Sequence, residues 1–234
     1  MTGEALGVSF KFNKWFLVAW LLPVLIVFAS LGLSLLVPGV EYSPSMGGLL
    51  ERFEGIIPED AMKKLEASLK DLPIPAIVFA LLLGLASGIS INSVVALGEE
   101  LGWRGFLFRE LGFLGFWKSS FLIGLIWGVW HTPFILQGLN YPQHPIEGVF
   151  MMILFCILLS PIFNFIRFKS NSVLAAAIVH GTLNGAGGIS IVFIRGGSDI
   201  ITSINGIIGL TLLAIINAIT YLTIKTSRFK INNL

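Results

Sequence analysis

Long apolar runs alternate with short polar segments along most of the chain. The runs near 15–37, 75–98, 118–137, 147–166, 172–192 and 203–224 each suit one membrane crossing, at roughly 20 residues per span. Backbone polar groups find no partner in hydrocarbon outside a helix or a closed barrel, so these runs are expected as helices. Residues 99–117 either extend the second helix or form a short separate one before Gly112 and Gly115. The pattern changes at 38–74, which carries seven acids and four bases. There Pro58 followed by Glu59 and Asp60 makes a good helix start, with acids at the positive end of the dipole. Met62, Leu65 and Leu69 then share one face, predicting a short amphipathic helix on the outer interface or against the bundle.

Composition agrees with this pattern. The chain of 234 residues is 55% hydrophobic and only 12% charged, with a mean hydropathy of +0.89. A soluble domain carries about twice that charge. The expected fold is all-α: a polytopic transmembrane bundle of about six to eight membrane helices, with 1–234 as one domain. Cys156 is the single cysteine, which excludes an internal disulfide and a zinc site of several thiolates. No basic run of the kind that binds nucleic acid is present. The first span is too long for a signal peptide and has no small-residue cleavage site after it, so it reads as a retained anchor.

Lys11, Lys14, Arg104, Arg109, Lys118, Arg167, Lys169, Lys225, Arg228 and Lys230 fall on one side of the expected spans, 10 of 15 basic residues. Arg52, Lys63, Lys64, Lys70 and Arg195 fall on the other. The positive-inside rule then puts both termini in the cytoplasm.

Against so apolar a background, Glu99, Glu100 and Arg104 demand a reason, because ionisable groups at membrane depth are costly and tend to be functional. On a helix Glu100 and Arg104 are neighbours at i,i+4, while Glu99 points about 100° away. Glu100–Arg104 therefore reads as structural support. Glu99 reads as a carboxylate in a poorly hydrated place, suited to proton transfer. The alternative is a solvated helix end. His131 lies ~20 Å into the third run, counted from Lys118, and His180 ~13 Å into the fifth, counted from Asn171. Asn184 shares a face with His180. His144, in the loop Tyr141–Pro145, reads as a surface residue.

These groups can hydrolyse an amide without a Ser or Cys nucleophile. Glu99 and His131 would hold and deprotonate a water, and His180 and Asn184 would donate hydrogen bonds to the developing oxyanion. The rival chemistry has Glu99, His131 and His180 ligate a zinc ion. No H-E-x-x-H helix is present, and the metal-free reading is preferred. Trp103, Trp127 and Trp130 either line a substrate groove or pack at an interface. Gly181, Gly185, Gly187 and Gly188 allow close helix contact, or simply break the helix.

The ordered trio resembles the CAAX prenyl-protease and bacteriocin-processing (CPBP, or Abi) family. Its Glu-Glu-x-x-x-Arg motif is matched by Glu99, Glu100 and Arg104, its aromatic-x-x-x-His by Trp127 and His131, and its His-x-x-x-Asn by His180 and Asn184. The resemblance covers about residues 95–190, and Trp127 stands where many members have Phe. It implies an intramembrane endopeptidase with a cavity open to the cytoplasmic side, Glu99 and His131 activating water, and His180 and Asn184 forming the oxyanion site. The implied partners are membrane lipid and a peptide or protein substrate, prenylated or not, cut near its C-terminus. A non-catalytic immunity or scaffold protein of the same family is the alternative. A small transporter using the Glu and His residues as a proton relay ranks below both.

Overall fold

A computed structural model describes residues 6–54 and 57–226; the bases Arg228 and Lys230 lie outside them. The chain is a helical bundle. In order it forms α1 Lys14–Ser34, β1 Glu41–Tyr42, α2 Gly47–Phe53, α3 Glu59–Lys70, α4 Ala76–Ile89 and α5 Ile91–Glu100. A π-helical stretch, Leu101–Leu107, leads into α6 Phe108–Glu110, a 3-10 turn at Gly112–Leu114, α7 Phe116–Trp130 and α8 Thr132–Ile135. Then come α9 Pro145–Ser170, α10 Val173–Ala186, α11 Ile189–Val192, β2 Ile194–Arg195 and α12 Ile207–Thr226.

Four of these segments are long and apolar enough to cross a membrane: α1, α9, Val173–Val192 and Ile207–Ile224. The stretch Ala76–Ile89 plus Ile91–Glu110 is bent by 47° and brings the number to at most five. This is fewer than the six to eight expected, and the difference lies in the third run. The helix α7 stops at Trp130 after 15 residues. The reason is local: Pro133 has no N–H to give to an α-helical ladder, and the His131 N–H turns back to the Gly128 carbonyl at 3.1 Å. The rest of that run, α8, is a four-residue helix.

The helices run between two faces. At the terminal face lie the starts of α1, α7 and α10 and the ends of α9 and α12. There the Gly7 carbonyl accepts from the Val173 N–H at 2.9 Å, and Asn13 Nδ2 donates to the Ser170 carbonyl at 3.0 Å. Asn171 ends α9 in the left-handed conformation, φ 55°, a usual helix stop for Asn. The opposite face carries 35–54, 57–75, 136–144 and 193–206, and these segments cap it. The strands β1 and β2 pair antiparallel there, Glu41 opposite Arg195 and Tyr42 opposite Ile194. This two-residue ladder is a small addition to the expected all-α fold. Tyr141 Oη donates to the Asn205 carbonyl at 2.8 Å. Asp199 accepts from the Gln143 N–H at 2.7 Å and binds His144 Nδ1 at 2.6 Å. His144 is thus the surface residue expected, but a pinned one.

The helix α3 forms where Pro58, Glu59 and Asp60 place it, with Glu59–Lys63 paired at 2.8 Å on its exposed side. None of its residues is fully buried.

Small residues set the packing. The α10 glycines Gly181 and Gly185 lie against α4 and α5: a Cβ on either would sit 2.7 Å from the Gly88 or the Gly84 carbonyl oxygen. Gly187 and Gly188 make no such contact with another helix. Gly124 and Gly128 let α7 approach α9, where Asn164 Nδ2 also donates to Ser120 Oγ at 2.8 Å. Close backbone approach through small residues is how helices associate without a hydrophobic drive between them. A Cβ at Gly128 would sit 2.6 Å from Ile153 Cα, so no side-chain movement can accommodate it. Gly128→Leu is therefore expected to destabilise the bundle by at least ~1–3 kcal/mol, the usual range for overpacking. Thermal unfolding of the detergent-solubilised protein measures this.

Candidate active site

The Glu-Glu-x-x-x-Arg segment sits where α5 gives way to the π-helical stretch. Wide turns of this kind inside helices are frequent at functional sites. Glu100 and Arg104 are both buried, at 0% and 1% exposure. Arg104 Nη1 donates to Glu100 Oε1 at 3.0 Å, so the expected i,i+4 pair forms. The same oxygen also receives His180 Nδ1 at 2.8 Å. A carboxylate only accepts, so Nδ1 carries the proton and the other ring nitrogen, Nε2, is left for other partners. The expectation paired His180 with Asn184, or with Glu99 and His131 around zinc; the structure ties it to Glu100.

The guanidinium of Arg104 lies between two aromatic rings, its Cζ 4.6 Å from the Trp127 centroid and 4.7 Å from that of Phe163. Its Nε and Nη2 have no hydrogen-bond acceptor among the described residues. The ring faces supply the remaining electrostatic contact, which strengthens as water is excluded.

Trp127 is the hub of the arrangement. Its indole Nε1 donates to Glu99 Oε2 at 3.1 Å. Its carbonyl, at 2.8 Å, accepts from His131 Nδ1, which fixes that ring too with Nε2 available. Its ring lies 5.8 Å from His131 and 5.2 Å from His180, centroid to centroid. Trp103 Nε1 approaches the same Glu99 oxygen more weakly, at 3.5 Å. Glu99 Oε1 has no hydrogen bond among the described residues.

A cavity of about 490 Å³ opens beside this group. Glu99, Trp127, His131, His180 and Asn184 all line it, so four expected catalytic residues and one expected cavity aromatic meet in one space. Trp103 and Trp130 are not in its wall. They pack edge to face at 6.5 Å, with Trp130 5.0 Å from the His131 ring, and so brace Glu99 and His131 from behind. Among the described residues no three His, Cys, Asp or Glu side chains are arranged to hold a metal ion.

Sequence reasoning missed several residues of the wall. Cys156 is buried there, its Sγ 4.0 Å from His131 Nδ1. Arg52 reaches it from α2, Asn140 from the loop after α8, and Asn205 from the loop before α12. None of these carries a motif, so no spacing argument finds them. They place the cavity toward the capped face, opposite the starts of α1 and α10.

Residues 73–186 match the family model described as type II CAAX prenyl endopeptidase, Rce1-like. That interval contains all three motifs. The chain is also similar to a CAAX prenyl protease 2 from Methanococcus maripaludis, with 43% identity over 44 residues. The aligned part is 18% of this chain and 16% of that protein, well under two thirds of the relative's length. No solved structure matches. Residues 73–186, just under half of the chain, are thus similar to the Rce1-like type II CAAX prenyl endopeptidases.

Proposed function

We propose that this protein is an intramembrane endopeptidase that hydrolyses a peptide bond near the C-terminus of a membrane-associated peptide or protein. The observation that carries the reading is the convergence of Glu99, His131, His180 and Asn184 on one cavity. The family of the segment 73–186 supports the same reaction class.

The chemistry follows from which atoms are free. Glu99 Oε1 and His131 Nε2 hold a water and take its proton as its oxygen bonds to the substrate carbonyl carbon. The resulting oxyanion accepts a hydrogen bond from the Asn184 amide, and from His180 Nε2 when that ring carries both protons. As the C–N bond breaks, the proton held by the Glu99–His131 pair passes to the leaving amine. Water supplies both the hydroxyl of the new acid and a proton of the new amine. Glu100 and Arg104 touch no reacting atom; they fix His180 and Trp127.

Three expectations follow. In a cleavage assay on a farnesylated CAAX peptide, Glu99→Gln and His131→Ala are expected to lower kcat by ~10²-fold or more, with the fold intact by thermal unfolding. Full activity in Glu99→Gln rejects the mechanism, and activity lost to o-phenanthroline but restored by zinc makes it metal-dependent. Arg104→Met strips the partner from a buried carboxylate and is expected to cost stability by ~3–5 kcal/mol, unlike Glu99→Gln. The positive-inside rule supports a cytoplasmic location for the chain ends, with the cap-side wall of the cavity then toward the far side. A reporter fused after Leu234 should be active only if cytoplasmic. The opposite result turns the cavity to the cytoplasm and breaks the positive-inside rule for this chain.

A further inference from the structure

Trp127 stands where a phenylalanine would satisfy the aromatic-x-x-x-His spacing. A phenyl ring there would still face Arg104, His131 and His180, as the indole does. What an indole adds to a plain ring is one N–H donor. In this chain that donor reaches Glu99 Oε2 at 3.1 Å. Trp127 is only 2% exposed, so water competes little for the bond. A hydrogen bond to an ionised group is also stronger than one between neutral partners.

Other contacts to Glu99 do not replace this one. Trp103 Nε1 lies 3.5 Å from the same oxygen, at the edge of hydrogen-bonding range. Arg104 gives its Nη1 to Glu100 instead, and its Cζ stands 4.6 Å from the Trp127 centroid. A cation over the ring draws electron density toward itself and makes the indole N–H a better donor. The order Glu100, Arg104, Trp127, Glu99 thus alternates negative, positive, polarised ring, negative. Trp127 also holds His131, through its main-chain carbonyl and the ring Nδ1 at 2.8 Å. That second contact uses no side-chain atom of Trp127, so the two can be separated by substitution.

The consequence is geometric. A glutamate side chain left loose samples many rotamers, and an error of 1 Å in a reacting group can cost ~10²-fold in rate. With Oε2 tied to the indole, the carboxylate cannot turn freely, and Oε1 is the oxygen left to the cavity. We propose that Trp127 is a positioning residue: its indole N–H, polarised by Arg104, anchors Glu99 by one oxygen and presents the other to the attacking water. This rests on the hydrolytic reading above. It adds which oxygen takes the proton and what holds that oxygen still.

The test uses the full chain in nanodiscs and the farnesylated CAAX peptide. Two variants remove the donor: Trp127→Phe, and Trp127→3-benzothienylalanine, which keeps the indole outline with sulfur in place of the N–H. Both are expected to fold, as thermal unfolding will report. Both are expected to lower kcat by about 10- to 100-fold, the range for one hydrogen bond to a charged group, with KM within about twofold. Trp103→Phe is expected to lose less. Full kcat in the benzothienyl variant overturns the inference, because shape alone then suffices. So does a loss confined to KM, or a Trp103→Phe loss that equals or exceeds that of Trp127→Phe.

Indole 15N–1H correlations read the same bond without any cleavage. The Trp127 signal is identified by its absence in Trp127→Phe. In Glu99→Ala it is expected to move upfield by more than any other indole signal, that of Trp103 included. A Trp127 signal that stays in place overturns the inference whatever the kinetics. If wild type cleaves no peptide but the signal moves, the hydrolytic reading falls and the anchoring of Glu99 by Trp127 stands.

Discussion

One buried carboxylate organises the interior. Glu100 receives Arg104 from one helical turn along its own chain and His180 from α10. A lone charge at this depth would cost several kcal/mol, so the three groups must arrive together or not at all. Their mutual need fixes the rotation of α5 about its axis, the height of α10, and the seat of the Trp127 and Phe163 rings against the guanidinium. Glu99 then falls beside the cavity because its neighbour is held elsewhere. Glu99 is placed by an ion pair in which it takes no part.

The glycines make that arrangement reachable. Glu100 and His180 can touch because α4 and α5 approach α10 backbone to backbone at Gly84, Gly88, Gly181 and Gly185. Any side chain there would hold the helices apart and stretch a 2.8 Å contact past use. Polar specificity and small-residue packing are thus one constraint seen from two sides.

Much of this was legible in the sequence. Apolar run length found the long helices, because the bilayer imposes a length that composition must obey. Spacing at i,i+4 found Glu100–Arg104, because a helix fixes that distance locally. Neither signal reaches across the bundle. Nothing in the order of residues says that Trp127 Nε1 meets Glu99, or that Arg52 enters the same cavity, since both depend on how separate helices and the cap dock. The third run misled for a different reason. Apolar character continues past His131, but Pro133 ends the hydrogen-bond ladder, and hydropathy is blind to ladders.

The short helix α7 has a bearing on solvent supply. Its 15 residues reach only ~22 Å, against a hydrocarbon core of ~30 Å. Such hydrophobic mismatch is relieved by a locally thinned bilayer or by polar flanks drawn inward. Either relief brings the aqueous phase toward His131, at the C-terminal end of α7. On that count His131, at ~20 Å along an ideal span, is brought toward water without a channel through lipid.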